Sequence, residues 1–122
     1  MSNVIRISKC DNELILLAYQ WGASFELCRV LSGNSNAIDL TINIDEGPYT
    51  GTSVINGVHH PIQHSFTTYL PAGSYQLLLL GIDWGGPAEF DVEVNNRRHN
   101  LPYTSNGDGL LFNPGPISFN VE

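Results

Sequence analysis

The segment from Phe66 to Val94 constrains the fold more than any other part of the chain. Pro71 to Gly73 predicts a chain reversal, because proline presets φ for a turn and glycine accepts a positive φ at little cost. The apolar run from Leu77 to Ile82 has the length of a buried strand and is too short to span a membrane. Phe90 to Val94 alternates apolar and polar residues, which predicts a strand with one buried and one wet face.

The rest of the chain repeats this arrangement of short strands and turns. Ile38 to Ile44 shows the cleanest alternation, and Glu13 to Trp21 is apolar in nearly every position. Gly22 ends that run after one strand's length, which predicts a hairpin with Phe25 to Leu31. Residues 95–100, NNRRHN, predict a polar loop. We therefore predict one all-β domain over residues 1–122, an antiparallel β-sandwich of jelly-roll or immunoglobulin-like order with about eight to ten short strands.

The charge balance and the cysteines limit the partners and the compartment. Twelve Asp and Glu residues against five Lys and Arg give a net charge of −7, so we expect neither nucleic acid nor an anionic membrane as a partner. Calcium or a cationic partner is compatible with this charge. The start, MSNVIRISKC, lacks the apolar core of a signal peptide, which predicts a cytoplasmic protein without membrane insertion. Cys10 and Cys28 are then expected as buried thiols, although the pair permits one disulfide.

Common catalytic motifs are absent from the sequence, including the nucleophile elbow, the phosphate loop and the His-Glu-X-X-His zinc motif. We therefore predict a protein that is not an enzyme. His60 and His64 are the candidate metal ligands, within a short segment that also contains His59. In an extended strand the side chains of His60 and His64 would lie roughly 13 Å apart. They could therefore share an ion only if Pro61 starts a turn.

The loop that begins at Asp83-Trp84 is the main candidate ligand site. An indole beside carboxylate and amide groups suits a sugar, whose CH faces stack on aromatic rings while its hydroxyls seek polar partners. Trp84 could equally cover the core or fill a subunit interface. Asp108, between two glycines, resembles half of a calcium loop, but calcium needs six to eight oxygen ligands. The predicted ligand-binding residues are Asp83, Trp84, Tyr49, Tyr103, Asn106 and Asp108.

Two functional hypotheses rank ahead of a third, a metal-dependent enzyme built around His59, His60 and His64. The first is a lectin-like module that binds carbohydrate or another small polar ligand through loop aromatics and acidic or amide side chains. The second is a homo-oligomeric assembly protein that uses a sheet edge or face and binds no small molecule. DNELILLAYQWGASF followed by GIDWGGPAEFDVEV is loosely similar in layout to soluble bacterial sandwich lectins. Their calcium-ligating loop has no counterpart after Asp83, so this similarity assigns no family.

Overall fold

A computed structural model describes residues 3–10, 12–33, 38–57, 62–83, 90–100, 110–112 and 116–122. This part of the chain is all-β, with eleven strands and no helix, and hence no helix able to cross a bilayer. The strands are β1 (Asn3–Lys9), β2 (Asn12–Gln20), β3 (Ala23–Gly33), β4 (Ile38–Glu46), β5 (Ser53–Asn56), β6 (Ile62–Leu70), β7 (Gly73–Asp83), β8 (Asp91–Val94), β9 (Arg97–Asn100), β10 (Leu110–Phe112) and β11 (Ile117–Val121).

The strands form two sheets. Sheet A has the order β6-β4-β1-β8-β9, and sheet B has the order β10-β7-β2-β3-β5. Strand β11 also pairs with β7, where it covers Gly73 to Leu77, while β10 covers Gly81 to Asp83. The two short strands therefore share one edge of the long strand β7.

The prediction of an antiparallel fold is wrong for two of the pairings. Strand β5 runs parallel to β3, and β6 runs parallel to β4. From β4 the chain crosses to sheet B for β5 and returns to sheet A for β6. Each of these strands therefore reaches its partner after a crossing between the sheets, because a tight hairpin can join only antiparallel neighbours. Both sheets are mixed as a result.

The predicted alternation forms the core. On β4 the residues Ile38, Leu40, Ile42 and Ile44 are buried, and the polar residues between them point outwards. The inner-face residues of both sheets belong to one cluster of buried side chains. Burial of each large aliphatic side chain stabilises the fold by about 1.5–3 kcal/mol.

Two tight turns show how local sequence sets the hairpins. The predicted β2–β3 hairpin is confirmed; its turn is Trp21-Gly22, and Gly22 has a φ of +80°. The predicted loop over residues 95–100 is wrong, because only Asn95-Asn96 turn and the next four residues form β9. Asn95 and Asn96 have φ of 51° and 67°, which asparagine tolerates better than most residues and which a two-residue hairpin turn requires.

Candidate interaction surface

The outer face of sheet B has an apolar centre. Because successive side chains of a strand point to opposite faces, the residues between the buried leucines of β2 and β7 face away from the core. Ile15 lies opposite Leu80, and Leu17 lies opposite Leu78, in the register of these two central strands. All four side chains are half-buried, as is that of Tyr19. We call Ile15, Leu17, Tyr19, Leu78 and Leu80 the apolar stripe.

A polar rim borders the apolar stripe on both sides. On the β3 side, the Arg29 guanidinium lies 2.7 Å from the Glu26 carboxylate and 3.8 Å from the Glu13 carboxylate. On the β11 side, the Gln76 amide donates a hydrogen bond of 2.9 Å to the Ser118 hydroxyl. The stripe is therefore an apolar patch enclosed by paired polar groups.

Trp21 lies at the turn that follows the apolar stripe and is fully exposed, at 102% of its reference area. The two-residue turn leaves no neighbouring strand to cover the indole. A shallow depression of about 470 Å³ lies beside this turn, with Leu17, Tyr19 and Leu78 among its lining residues. A large exposed aromatic beside an apolar depression favours contact with another molecule, because aromatic side chains dominate interface energetics.

The sequence contained a signal for this face that its interpretation as core missed. Leu77 to Ile82 was predicted as a buried strand, yet only Leu77 and Leu79 of its leucines are fully buried. Leu78 and Leu80 point outwards and remain half-buried. Consecutive apolar residues on a strand supply two apolar faces, and the core of a two-layer fold uses one of them.

The charges of the rim hold one another in place. The hydrogen bond from Arg29 lowers the pKa of the Glu26 carboxyl, and Glu26 in turn raises the pKa of Arg29. Both groups are therefore ionised at neutral pH. Because the Arg29 side chain is 40% exposed, water screens this pair, and it serves more to define the rim than to stabilise the fold.

Among the predicted ligand residues, Tyr49 has a structural role. Its hydroxyl donates a hydrogen bond of 2.7 Å to the Glu26 carbonyl oxygen, and its ring meets Phe25 edge-on at a centroid distance of 5.0 Å. Burial, followed by the nearby Glu26 charge, raises the pKa of Tyr49. Phe25 also contacts the buried Tyr75, so Tyr49 closes an aromatic cluster at the margin of the core.

The remaining predicted site residues are not brought together in the part of the chain that the structure describes. Asp83 ends β7, where its backbone pairs with Leu110. His64 is exposed on β6, with its ring centroid 5.8 Å from that of Phe66. Trp84, Tyr103, Asn106, Asp108 and His60 lie outside the described residues. Within those residues, no group of three or more His, Cys, Asp or Glu side chains is placed to hold a metal ion.

The cysteines are buried thiols, as the sequence predicts. Cys10 and Cys28 are both buried, and no disulfide joins them. Burial, with a smaller contribution from the Glu26 charge, raises the pKa of the Cys28 thiol to about 12. Cys28 is therefore protonated at neutral pH and lacks the thiolate that nucleophilic chemistry requires.

Comparison with known proteins assigns no relative to this chain. No protein-family model matches it, and neither a curated protein nor a solved structure matches it. The functional argument therefore rests on the chemistry of the surfaces described above.

Proposed function

We propose that this chain is a non-catalytic interaction protein that self-associates through the outer face of sheet B. The apolar stripe and its rim are the observation that carries this proposal. An apolar centre surrounded by polar residues is the usual anatomy of a protein interface. A sheet with one face in water normally alternates apolar and polar residues, and β2 and β7 depart from that rule together.

The size of this face suits a second copy of the chain. Strands β2, β3 and β7 have nine to eleven residues each, and β10 and β11 together supply a fourth row of eight. At a strand spacing of about 4.8 Å and a rise of about 3.3 Å per residue, these rows give a projected area of about 600 Å². A standard interface buries about 800 Å² of accessible surface on each partner, and the relief of the side chains raises the accessible area above the projection. A two-fold axis through the apolar stripe would bury the same patch on both copies.

Charge also favours self-association over a strongly charged partner. The rim carries both signs, with Arg29 beside Glu13 and Glu26, so a two-fold axis can bring each arginine towards acidic groups of the second copy. The net charge of −7 makes two copies repel one another at longer range. Salt screens that repulsion over roughly 10 Å, so we expect added salt to strengthen the association.

Sedimentation velocity over a range of protein concentrations tests this proposal. The wild-type chain should form dimers, and Leu78→Glu should shift it to monomer by placing a charge in the apolar stripe. Thr41→Glu is the matched control, because Thr41 lies on the outer face of sheet A, opposite Arg6 on β1. A wild-type chain that stays monomeric at high concentration, or equal dissociation by both variants, would contradict the proposal.

We also infer that the two sheets stack face to face as a sandwich and that residues 1–122 form one domain. The shared core cluster supports this inference, since both sheets contribute their inner faces to it. Strands β1 and β4 supply one side, and strands β2 and β7 supply the other. Two stacked layers around one core are the commonest way for a β-protein to bury such faces.

Carbohydrate binding is the second candidate function, and an amide-lined cleft favours it. This cleft of about 550 Å³ is lined by Asn3, Val4, Asn95, Asn96, Phe119, Asn120 and Glu122. The Asn3 amide donates to the Asn120 carbonyl oxygen at 2.8 Å, and the Asn95 amide donates to the Asn3 side-chain oxygen at 2.8 Å. Such fixed amides both donate and accept hydrogen bonds, which suits sugar hydroxyls.

A glycan array with and without calcium tests this second candidate. The Asn96 side chain forms no hydrogen bond within the described residues, so Asn96→Gly removes a group available to a ligand and keeps the positive φ of the turn. If Asn96→Gly removes binding, the cleft is the site. If Trp84→Ala removes it instead, the loop predicted from the sequence is the site. Absence of binding to every glycan in both conditions would eliminate this candidate.

A further inference from the structure

A second cleft, of about 510 Å³, lies between sheet A at β9 and sheet B at β11. One wall includes Arg97 and His99, and the other is formed by residues 116–118. Opposite residues of antiparallel strands share a face, and Arg97 pairs with Val94 while His99 pairs with Val92. Both valines are buried, so Arg97 and His99 lie on the core side of this edge strand, where the Arg97 side chain is exposed and that of His99 is half-buried.

Arg97 differs from its neighbour Arg98 in lacking an acidic partner. Arg98 points to the opposite face, where its guanidinium lies 2.9 Å from the Asp91 carboxylate. Within the described residues Arg97 forms no ion pair, although the chain as a whole carries a net charge of −7. Among the described residues, Arg97 therefore gives the cleft a positive charge without an acidic partner.

His99 lines the same cleft and has an unpartnered ring nitrogen. Its Nε2 atom is buried and has no hydrogen-bond partner in the described structure. Burial, followed by the Arg97 charge, lowers the pKa of His99, so the ring is neutral at neutral pH. The described lining of the facing wall, Pro116 to Ser118, contributes no charged side chain, and Asp91 and Glu93 lie on the other face of β8. In the Nε2–H tautomer this atom is a buried donor without an acceptor, which is unfavourable and which a ligand acceptor would relieve.

The free edge of β11 supplies a further donor. The Asn120 carbonyl oxygen accepts a hydrogen bond from Asn3 on β1, which shows that the backbone groups of Asn120 point towards sheet A. Strand alternation gives the backbone N–H of Ser118 the same direction. Ser118 lines the cleft opposite Arg97 and His99.

We propose that this cleft binds an oxyanion, namely the carboxylate or phosphate group of a small ligand. The Arg97 guanidinium holds two oxygens, and His99 Nε2–H and the Ser118 N–H donate to the remaining lone pairs. Bidentate pairing with arginine is the strongest of these contacts and sets the orientation of the anion. This site shares Ser118 with the polar rim of the apolar stripe, but Arg97 and His99 belong to sheet A, so variants at these two residues test it separately from self-association.

NMR titration of the full chain with sodium phosphate tests the site, with sodium chloride at equal ionic strength as the reference. We expect saturable shifts of the His99 ring and a rise in the pKa of His99, because the bound anion favours the imidazolium. Arg97→Gln should weaken phosphate binding by at least about tenfold through loss of a charge-assisted pair. Arg98→Gln, which removes the same charge from the outer face, should change it by less than about twofold.

Two further ligands separate the sources of the anion. Glucuronate and glucose share a ring and differ in the carboxylate, so glucuronate should compete with phosphate and glucose should not. Saturable binding of phosphate without competition by glucuronate would restrict the oxyanion to phosphate. Absence of saturable shifts with both anions, or equal loss in the two arginine variants, would overturn the proposal. Arg97 and His99 would then serve only as polar residues that protect the edge strand from aggregation.

Discussion

The two sheets contribute similar side chains to one core, but their outer faces differ. On sheet A the outward residues of the interior strand β4 are Asp39, Thr41, Asn43 and Asp45, which alternate with buried isoleucine and leucine. On sheet B the corresponding positions of β2 and β7 form the apolar stripe. The inner faces form the core, and the difference between the outer faces is the basis of the proposed self-association.

This difference matters because folding does not require it. A two-layer structure is stable with one apolar face per sheet, as sheet A shows. The second apolar face of β2 and β7 lowers solubility unless another molecule covers it. We therefore take the contrast between the sheets as the mark of an interaction surface.

The largest expected effect on the free energy of unfolding comes from comparing two neighbouring leucines on β7. Leu79 is fully buried, and Leu78 is half-buried on the outer face. Leu79→Ala should lower the free energy of unfolding by about 3 kcal/mol, because it loses burial and leaves a cavity. Leu78→Ala should lower it by less than about 1.5 kcal/mol. Urea denaturation at low micromolar protein concentration measures both values.

The size of the Leu78 effect decides whether the outer face of sheet B is open in the monomer. Equal losses for the two variants would mean that the rest of the chain covers the apolar stripe, and the contrast between the sheets would disappear. A small loss for Leu78→Ala, together with weaker self-association, would support the open face.

A smaller effect on stability is expected from comparing one tyrosine on each sheet. The hydroxyl of Tyr49 donates to the backbone of sheet B, whereas Tyr69 is 40% exposed on sheet A and its hydroxyl forms no hydrogen bond in the described structure. Tyr49→Phe should cost about 1 kcal/mol of stability, because the Glu26 carbonyl oxygen loses its donor. Tyr69→Phe should be neutral within about 0.5 kcal/mol. Thermal unfolding of both variants measures these changes in stability. If Tyr49→Phe leaves stability unchanged, the Tyr49 hydroxyl does not stabilise the fold and is again a candidate for ligand binding.

The parts of the fold that were predictable from the sequence are those with a local cause. Alternation on β4 predicted its buried face, and Gly22 predicted the β2–β3 hairpin because it ends the apolar run after one strand's length. The parallel pairings of β5 and β6 leave no local pattern in the sequence, because each strand pairs with the strand two places before it in the chain. Strand β9 was missed because its residues, RRHN, are polar at every position and show no alternation.

The candidate surfaces were harder to predict than the fold. An apolar run on a strand indicates burial on both sides, and the sequence does not distinguish a core from a partner as the cover. The inward direction of Arg97 likewise follows from the register of β9 with β8 and has no signature in the pair Arg97-Arg98 itself. Predictions based on loop composition concentrated on Asp83 and Trp84, whereas the described surfaces lie on strand faces and edges.

The smallest expected effect is a pH dependence that arises from the rim of sheet B. Arg29 lowers the pKa of Glu26 below its ordinary value of 4.5, so the pair stabilises the fold fully above about pH 4.5 and less as the pH falls through the lowered pKa. Glu26→Gln should therefore lower stability at pH 7 by less than about 1 kcal/mol, and this difference from wild type should shrink as the pH falls from 4.5 to 3. Glu46→Gln on sheet A is the control, because Glu46 is exposed and forms no ion pair in the described structure. Urea denaturation at pH 7 and pH 3 measures the effect, and a difference that is undiminished at pH 3 would show that Glu26 stabilises the rim by packing instead of by charge.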